Sequence, residues 1–189
     1  MDADLAQRYF LAAQESPGGW LIAGIGLRAA AERLDYFKYP ARDDESPISF
    51  FSEYHLLVGL AFENILKGFI TLVRMEQKEQ EILPRECYIH KLEALATRPE
   101  CAELNITDEE MAAFARLSPY IEWAGRYPHP RRASDMIAKG SSSIFHRMEQ
   151  DLWDRITLAL KERAWIMKGG GEAQGGYRLY TSPPTRRIE

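Results

Sequence analysis

Two opposite charges stand one helical turn apart inside an apolar run, Glu63 and Lys67 of "LAFENILKGFI". On a solvated face, such an i,i+4 pair contributes only about 0.3–0.5 kcal/mol. On a buried face it needs further polar partners, because an isolated charge removed from water is costly. Two later positions carry side chains suited to that role. His90 can donate or accept a proton near neutral pH. Arg126 carries a planar fork of donors that matches a carboxylate. Arg126 also opens "RYPHPRR", where His129, Arg131 and Arg132 complete a local basic cluster. Phosphate binding depends on local charge of this kind, so a formal net charge of −4 does not exclude it.

Other chemistries find less support. Cys87 and His90 form a lone C-x-x-H with no second ligand pair to complete a tetrahedral metal site, so no metal and no cofactor are expected. The chain has no G-x-x-x-x-G-K-[ST] or G-x-G-x-x-G phosphate loop, no G-x-S-x-G elbow and no H-E-x-x-H. His55 and His146 stand singly on long helical stretches and are expected to be satisfied or exposed. Trp123, Trp153 and Trp165 occupy apolar positions and read as core or interface residues. The two cysteines, Cys87 and Cys101, do not make a disulfide scaffold in 189 residues, which favours a reducing, cytoplasmic setting. The acidic start "MDADLAQRYF" has no signal-peptide pattern, and no apolar run is read as a membrane span.

The elements that must position these residues are helical throughout, because no segment alternates like a strand. Residues 3–15 place Leu5, Tyr9, Phe10 and Ala13 on one side, and "SPGG" is expected to break the run before a helix over 20–37. Ser46 and Pro47 supply a cap and a first-turn proline for a long helix over 47–78, apolar on most of its circumference and therefore central. A short helix is expected near 90–97. Thr107 and Glu110 form a capping box for the next one. Pro119 must kink that helix or start another with Ser118 as its cap, and Gly125 reads as the residue that ends it. A last helix over 144–167 buries Ile144, Met148, Leu152, Ile156, Ala159 and Leu160. The reading is an all-α bundle domain over 1–167. A Gly/Pro-rich tail over 168–189 follows, with five glycines between 169 and 176.

Three blocks, "GLAFENILKGFI", "IHKLEAL" and "YIEWAGRYP", resemble the pattern of the HEPN family in their order and spacing. Members often carry Ala-x-Glu-x-x-x-Lys in a central helix, His-x-Leu at a following helix start and a later Arg-Tyr-Pro. The resemblance implies an antiparallel helical bundle in which Glu63, Lys67, His90 and Arg126 converge. It also implies a homodimer, to which exposed tryptophans such as Trp20, Trp153 and Trp165 would contribute, with Tyr177–Tyr180 docking across it. Active HEPN members are metal-independent ribonucleases with an Arg-x4–6-His motif, matched here only by Arg85 and His90. Two functions follow as expectations. One is a binding or assembly module, in a nucleic-acid or defence context, whose cluster of Arg126, His129, Arg131 and Arg132 holds RNA or nucleotide without efficient catalysis. The other is an endoribonuclease using His90 with Arg85 or Arg126, for which a nucleotidyltransferase would be the expected partner.

Overall fold

The computed structural model describes residues 16–34, 50–79, 82–127 and 143–167, with only the backbone of 143–146 and 165–167. Within them the chain is 81% helical and contains no strand, which makes the fold all-α. The expected helix over 3–15, the Ser46-Pro47 start, the 168–189 tail and Pro128 lie outside the described residues.

Helix α1 spans Pro17–Arg33. The sequence "SPGG", expected to break a helix, begins this one: Ser16 Oγ accepts the Gly19 N–H at 3.1 Å, and Pro17 occupies the first turn, where its missing N–H costs nothing. Helix α2, Phe51–Glu76, is the central element. Its residues Val58, Ala61, Phe62, Ile65, Leu66, Phe69, Ile70 and Leu72 are all fully buried. By length and composition α2 could cross a membrane, contrary to the sequence reading; however, 78% of its most apolar window is enclosed by the rest of the bundle.

Two 3-10 turns, Arg85–Cys87 and Pro99–Leu104, flank the five-residue helix α3, Leu92–Ala96. Helix α4, Asp108–Pro119, opens on the expected capping box: Glu110 N–H to Thr107 Oγ1 at 3.2 Å, and Thr107 N–H to Glu110 Oε2 at 2.9 Å. Pro119 lies inside this helix and does not start a new one capped by Ser118. The chain continues into a wider π turn, Tyr120–Ala124, closed by Gly125 N–H on the Tyr120 carbonyl at 3.0 Å. A proline cannot supply the i→i−4 donor, and a π turn is one way to absorb the lost bond. Helix α5 spans Ser143–Met167 and buries Leu152, Trp153, Ile156 and Leu160.

Glycines on α1 and α2 bring the helices together. A Cβ on Gly24 would lie 2.8 Å from Ile65, and one on Gly68 would lie 2.9 Å from Trp20 and 3.0 Å from Leu160. A Cβ on Gly59 would lie 2.6 Å from Ile121. These pairings run α1 and α4 antiparallel to α2, and α5 parallel to it. Trp153 stacks edge-on against Phe62 at 5.6 Å inside this core, so it is not the surface aromatic that the dimer expectation used.

Candidate functional site

Glu63 and Lys67 lie on the face of α2 that meets α1 and the 82–92 connection. Both residues are buried, at 6% and 5% exposure. Their i,i+4 spacing stacks them, and Lys67 Nζ donates to Glu63 Oε1 at 2.6 Å. The Trp20 ring of α1 lies 6.0 Å from the ammonium, close enough for cation–π attraction. The second carboxylate oxygen reaches outward. His90 Nδ1 lies 2.9 Å from Glu63 Oε2, while its side chain remains 50% exposed. An ionised carboxylate only accepts, so the neutral imidazole carries its proton on Nδ1 and turns the Nε2 lone pair away from Glu63.

His90 is positioned by the segment that carries it. Cys87 N–H bonds the Pro84 carbonyl at 2.9 Å and Tyr88 N–H the Arg85 carbonyl at 3.0 Å, which closes the 3-10 turn. Cys87 is fully buried beneath it. Beyond His90, the Leu92 N–H at the start of α3 is capped at 2.9 Å by Ser118 Oγ, a residue of α4. The same hydroxyl lies 2.5 Å from Glu93 Oε2 and 3.1 Å from the Phe114 carbonyl. Ser118 therefore caps a helix other than the one it was expected to start.

Arg126 does not join this group. Its guanidinium donates to the carbonyls of Ile121 and Glu122, the latter at 2.8 Å, and the residue is exposed. The expected Glu63–Arg126 fork is replaced by a cation closing the end of its own helical turn, where unsatisfied carbonyls concentrate negative charge. Gly125 ends the helical turn as expected, though not through a left-handed conformation. Its φ of −86° is ordinary, and the position excludes a side chain because a Cβ would collide with Leu56 Cβ. Arg85 is exposed on the 3-10 turn, and no hydrogen bond or ion pair joins it to His90. His129, Arg131 and Arg132 lie outside the described residues, as does the side chain of His146. His55 is buried, with Nδ1 2.7 Å from the Phe51 carbonyl and its ring stacked 4.9 Å from Tyr120.

The cysteines offer no accessible thiolate. Burial pushes the Cys101 thiol up to about 12, and burial also raises Cys87 despite the nearby Arg98. Among the described residues no three His, Cys, Asp or Glu side chains gather as metal ligands would. The site's chemistry is therefore that of one oriented imidazole on a buried, lysine-neutralised carboxylate. Compared with known proteins, the chain matches no family model, no curated protein and no solved structure.

Sequence reasoning missed three contributors. Ser118 was legible as a cap but not as one acting across 26 positions. Trp20 read as a surface aromatic, and nothing local placed it beside Lys67. Tyr88, whose N–H closes the 3-10 turn on the Arg85 carbonyl, carried no signal beyond its type.

Proposed function

We propose that this chain is a HEPN-like helical binding or assembly module working in a nucleic-acid or defence setting, without efficient catalysis of its own. The observation that carries the reading is where its cations are committed. Cleavage of RNA without a metal needs a histidine within reach of the reacting hydroxyl and a cation where phosphate charge builds up. Arg126 is spent on helix-end carbonyls and Lys67 on Glu63. Among the described residues no cation is hydrogen-bonded to His90 from its solvent side. What remains is a polar junction that ties α2 to the connection carrying His90 and, elsewhere in the sequence, the basic residues Arg126, His129, Arg131 and Arg132, of which only Arg126 lies among the described residues. Those four suit salt-sensitive RNA or nucleotide binding in a homodimer.

One observation favours a second reading, a metal-independent endoribonuclease using His90 with Arg85 or Arg126. A half-exposed imidazole with Nδ1 fixed on a buried carboxylate is oriented as a general base or acid would be. In that case a nucleotidyltransferase is the partner to seek. The test is incubation of purified protein with RNA in EDTA, beside the His90→Ala variant. The expected outcome is salt-sensitive binding, weakened when Arg131 and Arg132 are neutralised, with negligible turnover. Robust cleavage that disappears in His90→Ala replaces the first reading with the second. A monomeric mass in solution at micromolar concentration removes the homodimer from either.

A further inference from the structure

Helix α1 inverts the usual pattern of a surface helix. Its one charged residue before Glu32 is Arg28, and that side chain turns inward: the residue is 3% exposed, and Nη2 donates to Gln150 Oε1 of α5 at 2.6 Å. The outward positions Gly19, Ile22, Ala23, Ile25, Gly26 and Ala30 are all exposed, and none carries a polar side chain. A Cβ on Gly26 would meet nothing within 4 Å. The Arg28–Gln150 bond and the approach of Gly24 to Trp153 set α5 antiparallel beside α1. Ile22 is 55% exposed on α1 and Leu158 is 56% exposed on α5. With Ile25 they are the exposed large aliphatic residues among those described, and all three fall on this pair of helices. Apolar surface gathered in this way marks a contact site.

We propose that the outward faces of α1 and α5 form the contact between two copies of this chain, related by a two-fold axis that passes beside Gly26. The proposal rests on the homodimer of the reading above and gives it a surface. Spacing, charge and area each point to a second copy as the occupant. Gly19, Ala23, Gly26 and Ala30 alternate four- and three-residue steps, the spacing of a helix–helix seam. With two α1 helices antiparallel about Gly26, Ile22 of one copy falls opposite Ala30 of the other, large against small. The open space at Gly26 lets the two backbones approach. The exposed charges of α5 are Arg147, Asp151, Asp154, Lys161 and Glu162, two cations and three acids. A self-complementary interface needs both signs on one surface, whereas a nucleic acid would meet a net negative face. Helix α1 has 17 residues and is about 25 Å long, and two neighbouring helices are about 20 Å across. That footprint, about 500 Å² per copy and about 1,000 Å² for the pair, reaches the lower bound of a specific interface. A single helix docked on α1 would cover only half of it.

The test is sedimentation velocity of the full chain across the micromolar range, beside Gly26→Arg. An arginine there has room in the monomer and is a better helix former than glycine, so the melting temperature should not fall. In the dimer it sets two bulky like charges against each other at the axis. The dissociation constant is expected to rise at least about thirty-fold. Gly26→Cys, in a glutathione redox buffer, is expected to cross-link to its own copy, whereas Glu109→Cys on the exposed side of α4 is not. A dimer that survives Gly26→Arg unchanged, with no cross-link through position 26, overturns this surface and leaves the homodimer standing. A wild type that stays monomeric throughout removes both. A monomeric wild type whose Gly26→Arg variant melts at a lower temperature also overturns the proposal, because another stretch of the same chain then covers the face.

Discussion

Glu63 and Glu100 are both buried carboxylates, and they are neutralised in different ways. Glu100 receives two guanidinium groups: Arg74 at 3.0 Å on one oxygen, and Arg98 at 3.2 and 3.3 Å across both. Glu63 receives a lysine from within its own helix and a histidine from the connection that follows. The guanidinium partnership expected between Glu63 and Arg126 thus exists in this protein, but at Glu100. An arginine pair is permanently charged, so it locks a carboxylate and little else. A lysine–histidine pair leaves one partner half-exposed. The Glu100 cluster holds structure together, whereas the Glu63 cluster also leaves an imidazole half-exposed to solvent.

The most direct way to break this contrast is to remove Lys67. Lys67→Ala leaves Glu63 buried with only His90, and is expected to cost about 3–5 kcal/mol in urea unfolding. A loss below 1 kcal/mol would show that the pair is not truly buried. Gly125→Ala tests the separation of Arg126 from Glu63, because the new methyl must displace Leu56 of α2. The expected cost is about 1–3 kcal/mol, measured the same way. Equal stability would mean that the helix end is free to move and that Arg126 is not held away.

A pH titration sharpens the Glu100 side. Burial opposes its charge, but hydrogen bonds from Arg98, its own backbone and Arg74 bring the carboxyl below its usual 4.5. The stability this contributes is complete above pH 4.5 and is lost as pH falls through the lower folded value. Glu100→Gln should therefore flatten the acid limb of stability against pH. An unchanged acid limb would contradict the arginine clamp. The smallest effect belongs to Arg126→Ala, an exposed helix-end cation, at about 0.3–1 kcal/mol. A cost comparable to that of Lys67→Ala would instead place Arg126 among the buried charges.

The all-α fold, the dominance of the central helix and the Thr107–Glu110 box were legible because each depends on local periodicity or a three-residue spacing. The Glu63–Lys67 contact was legible for the same reason. Its burial was left open, because the same i,i+4 spacing serves a solvated face as well as a buried one. Glu63–His90 entered only as an implication of the family resemblance, since nothing local specifies a partner 27 positions away. Arg126 was misplaced because "GRYP" reads equally well as an inward turn or as a helix end whose carbonyls recruit the nearest cation. "SPGG" was misread because its glycines outweighed a Ser-Pro signal that, at Ser46-Pro47, was taken as a start.

The cap that Ser118 places on Leu92 has a kinetic consequence. A five-residue helix cannot sustain itself, and this one has its first amide satisfied only once α4 has docked beside it. The segment that presents His90 should thus be consolidated after the main bundle has formed, with interactions largely absent from the folding transition state. Ser118→Ala is then expected to leave the refolding rate nearly unchanged and to accelerate unfolding. In native-state hydrogen exchange, the Leu92 amide should open well before those of Phe62 or Ile65, making the connection a separate, earlier-opening cooperative unit of the molecule.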